Sequence, residues 1–290
     1  MPRSEAQRTK SRGRLGRVGS LILVVIVFIG MFLPLVVIIG ASFTAGTGIS
    51  FPPKGFSAQY YVAAVQRPDF VSAFVVSLAV GLGSAALAML VGVPAAIGLV
   101  RYRFRGRGLL TAVLMSPIMV PTLVTGILVL SWYALVLGWQ TSVALLIAGH
   151  LVITLPFVVR LSMASLTGFD SRLEIAARGL GAGSLRAFLS VTLPNIMPGL
   201  IGAFAFAFIR SFDDIGISIF LASKGVQTLP VLIYSYITQA YDPLILAVAS
   251  FMVIIVVILM IVLDRVVGVT QIAMASYGGG NGETVQKAAS

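Results

Sequence analysis

Three charged residues, Arg210, Asp213 and Asp214, lie in an otherwise apolar stretch at 199–221, which we predict to be one continuous spanning helix. A charge inside a membrane costs about 2.5–3.5 kcal/mol on insertion scales, so such residues normally face a bundle interior or an aqueous cavity. Spacings of three and four residues place the guanidinium within reach of both carboxylates. Two interpretations stay open. The group is a structural Arg–Asp pair, or it forms part of a translocation path whose extra carboxylate favours a cationic solute.

The only histidine of the chain, His150, lies near Thr154 in a second apolar stretch, at 142–163. A single histidine in such a stretch is most often a hydrogen-bonded packing residue, and this is our first interpretation. A position along a translocation path, together with Arg210 and the two aspartates, is the alternative.

Enzyme chemistry has no support in the sequence. The chain has no cysteine, no His-Glu-x-x-His and no Gly-x-Ser-x-Gly. It also lacks the phosphate-binding loop Gly-x-x-x-x-Gly-Lys-Ser/Thr, so any nucleotide must be bound by a partner. We therefore predict no catalytic residue, no metal site and no cofactor in this chain.

The elements that must position these residues are long apolar segments. Hydrophobic residues make up 58% of the 290 residues, charged residues only 10%, and the mean hydropathy is +1.05. A spanning helix needs about 20 mostly apolar residues. Six stretches satisfy this condition: 19–41, 71–100, 109–137, 142–163, 199–221 and 244–266. The sequence therefore predicts an all-α, polytopic membrane helix bundle with six transmembrane helices.

The distribution of basic residues predicts the orientation of these helices. Six basic residues lie in the tail 1–18, four at 101–108 and four at 160–198, against three on the opposite side. Basic residues accumulate in cytoplasmic segments, which predicts that both termini are cytoplasmic. We expect a basic cytoplasmic tail at 1–18, a membrane domain at 19–268 and a flexible cytoplasmic tail at 269–290. The net charge of +11 then reflects topology and contact with membrane lipid, and no nucleic-acid partner is expected.

The stretch 199–221 also carries two stripes with a period of four residues. The small stripe is Gly199, Ala203, Ala207 and Ser211, and the phenylalanine stripe is Phe204, Phe208 and Phe212. Small residues let helices approach closely, so we expect the small stripe to pack on a neighbouring span. The phenylalanines either fill the bundle or an interface with another subunit, or they contact lipid.

Between the fourth and fifth stretches, residues 164–198 form an amphipathic segment. Residues 173–180 and 185–193 have helical composition, and a glycine-containing turn separates them at 181–183. Pro194 is expected to end the second helix. The pattern predicts two short helices that form a compact knuckle.

This segment resembles the signature loop of the ABC-importer permease family, which reads Glu-Ala-Ala, three residues, Gly, nine residues, Ile, any residue and Leu-Pro. The matching positions are Ala176, Ala177, Gly181, Val191, Leu193 and Pro194. The acidic position departs from the pattern, because Ile175 occupies it and Glu174 stands one residue earlier. The resemblance implies that residues 164–198, called the coupling loop below, contact a cytoplasmic ATPase and transmit its closure to the spans.

Two further segments resemble the second permease of spermidine/putrescine importers. They are Ser211 to Asp214 and Thr228 to Ser235. The resemblance implies a transport subunit of the bacterial cytoplasmic (inner) membrane that carries a polyamine or similar cation. Its implied partners are a second permease, a cytoplasmic ATPase dimer that binds ATP, and an extracytoplasmic solute-binding protein. The alternative is a self-sufficient secondary transporter that uses Arg210, Asp213 and Asp214 for ion coupling, which leaves the coupling loop unexplained.

Overall fold

A computed structural model describes residues 3–138, 141–223, 225–239 and 242–267. Within these ranges the chain is helical, with no β-strand and only isolated bridges such as Thr44 with Phe56. The α-helices are α1 (Arg3–Ser42), α2 (Gln59–Gln66), α3 (Pro68–Arg101), α4 (Arg107–Met115), α5 (Thr122–Trp132), α6 (Val143–Gly168), α7 (Ser171–Gly179), α8 (Ser184–Ala187), α9 (Leu193–Phe212), α10 (Ser218–Leu221), α11 (Leu229–Gln239) and α12 (Leu244–Val267). The prediction of an all-α fold is confirmed.

The described residues contain five or six candidate membrane spans, against six predicted from the sequence. Five helical segments among them are long and apolar enough to cross a membrane: Gly19–Ser42, Pro68–Arg101, Val143–Gly168, Ser184–Phe212 and Leu244–Val262. The bent pair of α4 and α5 supplies the sixth when it counts as one span.

The chain forms two compact units. The first contains the described parts of Met1–Gln66 and Tyr236–Val253. In it the Tyr61 hydroxyl bonds Ser42 Oγ at 2.6 Å, and the Tyr61 ring lies 5.0 Å from Phe43 and 5.5 Å from Phe251. Tyr61 therefore ties α2 to the end of α1 and to the first half of α12.

The second unit contains the described parts of Arg67–Ser235 and Ile254–Ser290 and is built around α3, α6 and α9, which pack on one another. Close approach depends on glycine, because a Cβ on Gly81 would lie 2.9 Å from the Phe208 ring and one on Gly92 2.9 Å from Val158. Any side chain at Gly199 would collide with Ser165 of α6. The glycines therefore let the three long helices pack tightly.

Both stripes of α9 lie largely inside this unit. Ala203 and Ala207 are fully buried and Ser211 is 2% exposed, which confirms that the small stripe packs on neighbouring helices. Phe208 and Phe212 are also buried, and their rings stack at 5.3 Å. The alternative in which these two phenylalanines contact lipid is wrong.

The third predicted span, 109–137, is not one continuous helix. A 3-10 turn at Ser116–Met119 follows α4. The helix axis bends by 109° between the segments Arg107–Met119 and Thr122–Val136. Pro121 explains the break, because it has no N–H to donate and forces the preceding Val120 into an extended backbone (φ −94°, ψ 129°).

The fifth predicted span is displaced toward the N-terminus. Helical structure runs continuously over Ser184–Phe212 and ends there, so Asp213 and Asp214 follow α9 instead of lying within a helix. The prediction that Pro194 ends a helix is also wrong. A π-helical turn at Phe188–Thr192 joins α8 to α9, and this wider turn accommodates the proline without ending the helix.

Candidate functional site

The knuckle of the coupling loop is formed by the C-terminus of α7. Gly181 N–H donates to Arg178 O at 3.0 Å and Ala182 N–H to Ala177 O at 3.1 Å, the paired bonds of a Schellman motif. Gly181 has φ +93°, a conformation that side chains with a Cβ rarely adopt. At the other end, Asp170 Oδ1 accepts from Arg172 N–H at 3.0 Å and caps the helix. The loop is thus a defined structure with a glycine-dependent turn.

Several apolar side chains are exposed on the surface of this knuckle, beside the exposed arginines of the same segment. Leu180 is 90% exposed, and four further apolar side chains are also exposed: Leu173, Ile175, Leu185 and Leu189. Ala176 and Gly181 are exposed between them, and a Cβ on Gly181 would have no atom within 4 Å. Of the remaining predicted coupling residues, Ala177, Val191 and Leu193 are half-buried and Pro194 is exposed.

The side chain of Glu174 is largely enclosed by the chain itself. Its carboxylate accepts two hydrogen bonds from the Arg101 guanidinium, at 3.1 and 2.5 Å, and a further short one from the Thr192 hydroxyl. Arg101 also donates to Thr192 Oγ1 at 3.3 Å and stacks over the Phe188 ring at 5.2 Å. Arg101, Glu174, Phe188 and Thr192, the Glu174 cluster below, link α3, α7 and the π turn.

The charge of Glu174 is favoured by these contacts. The hydrogen bond from Arg101 lowers the pKa of the Glu174 carboxyl below its usual value, although partial burial acts in the opposite direction. Thr192 lowers this pKa further. The carboxylate is therefore ionised throughout the physiological pH range.

The second charged group lies at the far end of α9. Arg210 Nη1 is 3.1 Å from Asp214 Oδ1 and 3.9 Å from Asp213 Oδ1. The two aspartates differ sharply, because the side chain of Asp214 is 2% exposed and that of Asp213 is 58% exposed. Asp214 Oδ2 also accepts the backbone N–H of Ile217 at 2.7 Å. Asp214 is satisfied within the fold, whereas Asp213 presents a carboxylate outward.

His150 is fully buried beside the same helix end. Its Nδ1 bonds Ser211 Oγ at 2.7 Å and its Nε2 bonds Ser218 Oγ at 2.9 Å. Ser84 Oγ on α3 donates to Ser211 Oγ at 2.9 Å. The network joins α3, α6, α9 and α10, as expected for the packing interpretation of this histidine.

Sequence reasoning did not identify several members of these groups: Ser84, Arg101, Thr192 and Ser218. Arg101 looked like one of four basic residues that anchor a cytoplasmic turn. Serine and threonine are common in apolar helices, and Ser84, Ser218 and Thr192 have no distinguishing spacing. Their partners lie as far as 127 residues away in sequence, so no local pattern indicates them.

Comparison with known proteins identifies the family. Residues 88–271 match the family described as the inner membrane component of binding-protein-dependent transport systems. The chain is 31% identical to the spermidine/putrescine transport system permease protein PotC of Escherichia coli strain K12, over 80% of this chain and 87% of that protein. It is 30% identical to the putrescine transport system permease protein PotI of the same strain, over 79% and 84% of the two chains.

A solved structure shares the fold. It is the bacterial alginate ABC transporter in complex with an alginate pentasaccharide-bound periplasmic protein, with TM-score 0.63, 15% identity and coverage of 88% of this chain and 95% of that chain. The family match together with the candidate spans defines a multi-pass transport subunit of the inner membrane. The chain belongs to the family of inner membrane components of binding-protein-dependent transport systems, and this membership favours the ABC-importer interpretation over a self-sufficient secondary transporter.

Proposed function

We propose that this permease imports a polyamine or a similar organic cation. It works with a second permease, a cytoplasmic ATPase dimer that binds the ATP, and an extracytoplasmic solute-binding protein. The names of its relatives PotC and PotI support the solute class. The periplasmic protein in the alginate transporter complex supports the third partner.

The coupling loop is the proposed contact with the ATPase. A surface with Leu180 almost fully exposed and other apolar side chains around it is unfavourable in water, so a partner that covers it gains apolar burial. Exposed Ala176 and Gly181 allow that partner to approach closely.

The exposed carboxylate of Asp213 carries the proposal for the solute. Arg210 and Asp214 neutralise each other at 3.1 Å, which leaves Asp213 as the excess negative charge of the group. A cationic ammonium group is the natural partner of an exposed carboxylate where hydration is limited. In this arrangement Arg210 and Asp214 hold the helix end, His150 supports it through Ser211 and Ser218, and Asp213 faces the translocation path.

Replacing Asp213 with Asn tests the path. It keeps the size of the side chain and removes the charge, so we expect ATP-dependent uptake of labelled spermidine into reconstituted vesicles to fall about tenfold, with normal assembly. Asp69→Asn is the control, because Asp69 is partly exposed, with 36% of its side chain accessible, and is also ion-paired to an arginine, at 3.3 Å. Wild-type uptake by Asp213→Asn, or transport of an anionic solute in place of spermidine, contradicts the proposal. Uptake driven by an ion gradient without ATP would instead support a secondary transporter.

The orientation is tested by single cysteines, since the chain has none of its own. We expect a membrane-impermeant thiol reagent to label Lys54→Cys and Lys224→Cys from outside. Arg105→Cys and Arg186→Cys should react only after the inner face is opened. Labelling of either arginine position from outside reverses the proposed orientation.

A further inference from the structure

The Glu174 cluster connects three parts of the chain that are far apart in sequence. Arg101 is the last residue of α3, Glu174 lies in the middle of α7, and Phe188 and Thr192 are the two ends of the π turn. The Arg101–Glu174 pair spans 73 residues and is bidentate, a geometry that fixes both side chains in orientation as well as distance.

The burial of Glu174 and Thr192 indicates that their side chains are committed to these internal contacts, although the Arg101 side chain is 30% exposed. The Glu174 side chain is only 12% exposed and Thr192 is fully buried. Both carboxylate oxygens of Glu174 have donors within the chain. The neighbouring Ile175, in contrast, is 65% exposed on the surface of α7. An acidic residue at position 175 would be presented outward, whereas Glu174 is turned inward.

The π turn connects the Glu174 cluster to α9, whose other end carries the second charged group. Thr192 directly precedes α9, and Arg210 lies 18 residues further along the same continuous helix, about 27 Å away at 1.5 Å per residue. A displacement of α7 that is passed to Thr192 therefore moves one end of a continuous helix whose other end carries Arg210 and precedes Asp213. π turns of this kind often occur at functional sites.

The geometry points to Glu174 as a positioning residue that ties the coupling loop to the ends of α3 and α9, so that movement of the loop becomes movement of both spans. It acts through Arg101 and Thr192 and not by contact with the ATPase. This inference rests on the proposed function, in which the loop is moved by an ATPase.

The test measures ATP hydrolysed per labelled solute imported by the reconstituted complex. Glu174→Gln and Arg101→Gln should each raise this ratio about tenfold, within the usual range of coupling between sites. The double variant should be no worse than either single variant, because both changes remove one interaction. The charge-exchanged variant Arg101→Glu with Glu174→Arg should recover part of the lost coupling.

Two control variants distinguish the loss of a cluster residue from the loss of any other charged side chain. Arg103→Gln removes an exposed arginine two residues after Arg101, and Asp69→Asn removes a partly exposed carboxylate outside the coupling loop. Both should retain the wild-type ratio. The amount of assembled complex, measured by size-exclusion chromatography, should be close to wild type in every variant.

Several results overturn the inference. If Arg101→Gln behaves like Arg103→Gln while Glu174→Gln is uncoupled, Glu174 acts on a partner and not through Arg101. If uptake and hydrolysis fall together in proportion to assembled complex, the cluster is purely structural. Failure of the proposed function is distinguishable, because the wild-type complex itself would then show no ATP-dependent uptake.

Discussion

The two charged groups that flank α9 contrast in how they use arginine. In the Glu174 cluster, Arg101 reaches a carboxylate 73 residues away and joins separate elements. At the other end, Arg210 pairs with Asp214 four residues along the chain, and a second carboxylate, Asp213, is left exposed. The first arrangement holds elements together with every charge matched, whereas the second closes a helix end and leaves one negative charge outward. We infer that the Glu174 cluster transmits motion of the coupling loop, and that the group of Arg210, Asp213 and Asp214 contacts the solute.

The largest effect is expected from Asp214→Asn, which breaks the buried half of the second group. The change leaves Arg210 without its closest carboxylate. It also weakens the hydrogen bond that the side chain at position 214 accepts from Ile217 N–H. We expect the unfolding free energy of the complex to fall by about 3 kcal/mol. This value is the lower end of the range for breaking a buried ion pair, because the Arg210 side chain is 27% exposed. Thermal unfolding of the purified complex measures it.

The double variant Arg210→Gln with Asp214→Asn sharpens this prediction. It removes both charges together, so it should recover a large part of the stability lost by Asp214→Asn alone. An Asp214→Asn complex as stable as wild type would show that Asp214, like Asp213, is not needed by the fold, and the contrast between the two aspartates would be lost.

A smaller effect is expected at the turn of the coupling loop. Gly181→Val places a β-branched residue at φ +93°, which costs about 1–2 kcal/mol locally and distorts the docking surface. Gly183→Val is the matched control, because Gly183 has φ −64° and open space around its Cβ position. We expect substrate-stimulated ATP hydrolysis to fall in the first variant and to persist in the second. Equal behaviour of the two variants would remove the conformational argument for Gly181.

The smallest effect is the pH dependence of the Arg101–Glu174 pair. The pKa of Glu174 is lowered in the folded protein from its usual 4.5, so the stabilisation is fully present above that pH and is lost only as the pH falls through the folded value. The difference in unfolding free energy between wild type and Glu174→Gln should therefore be constant from about pH 7 to 5.5 and shrink at lower pH. A difference that already shrinks near neutral pH would show that Arg101 does not hold this carboxylate ionised.

Local sequence patterns predicted the parts of the fold that depend on neighbouring residues. The period of four in Ala203, Ala207 and Ser211 identified the face of α9 that is buried. A glycine-containing turn was predicted at 181–183, and Gly181 adopts φ +93° there. The same reasoning failed at Phe212, because the residues from Ile215 to Leu221 remain largely apolar while the backbone leaves the helix. It failed also at Pro194, where a π turn replaces the expected helix end.

The sequence by itself determined that this chain spans a membrane several times, because long apolar runs have no other favourable solvent. It also determined that one segment outside the spans carries the pattern of a coupling loop. Only the tertiary structure decided which carboxylates are enclosed. Glu174 is held by an arginine 73 residues away, and Asp214 is buried while Asp213 is 58% exposed because the backbone leaves the helix after Phe212. The spacing of Arg210 from the two aspartates is visible in the sequence, but the packing of distant elements, which encloses one carboxylate and not the other, is not.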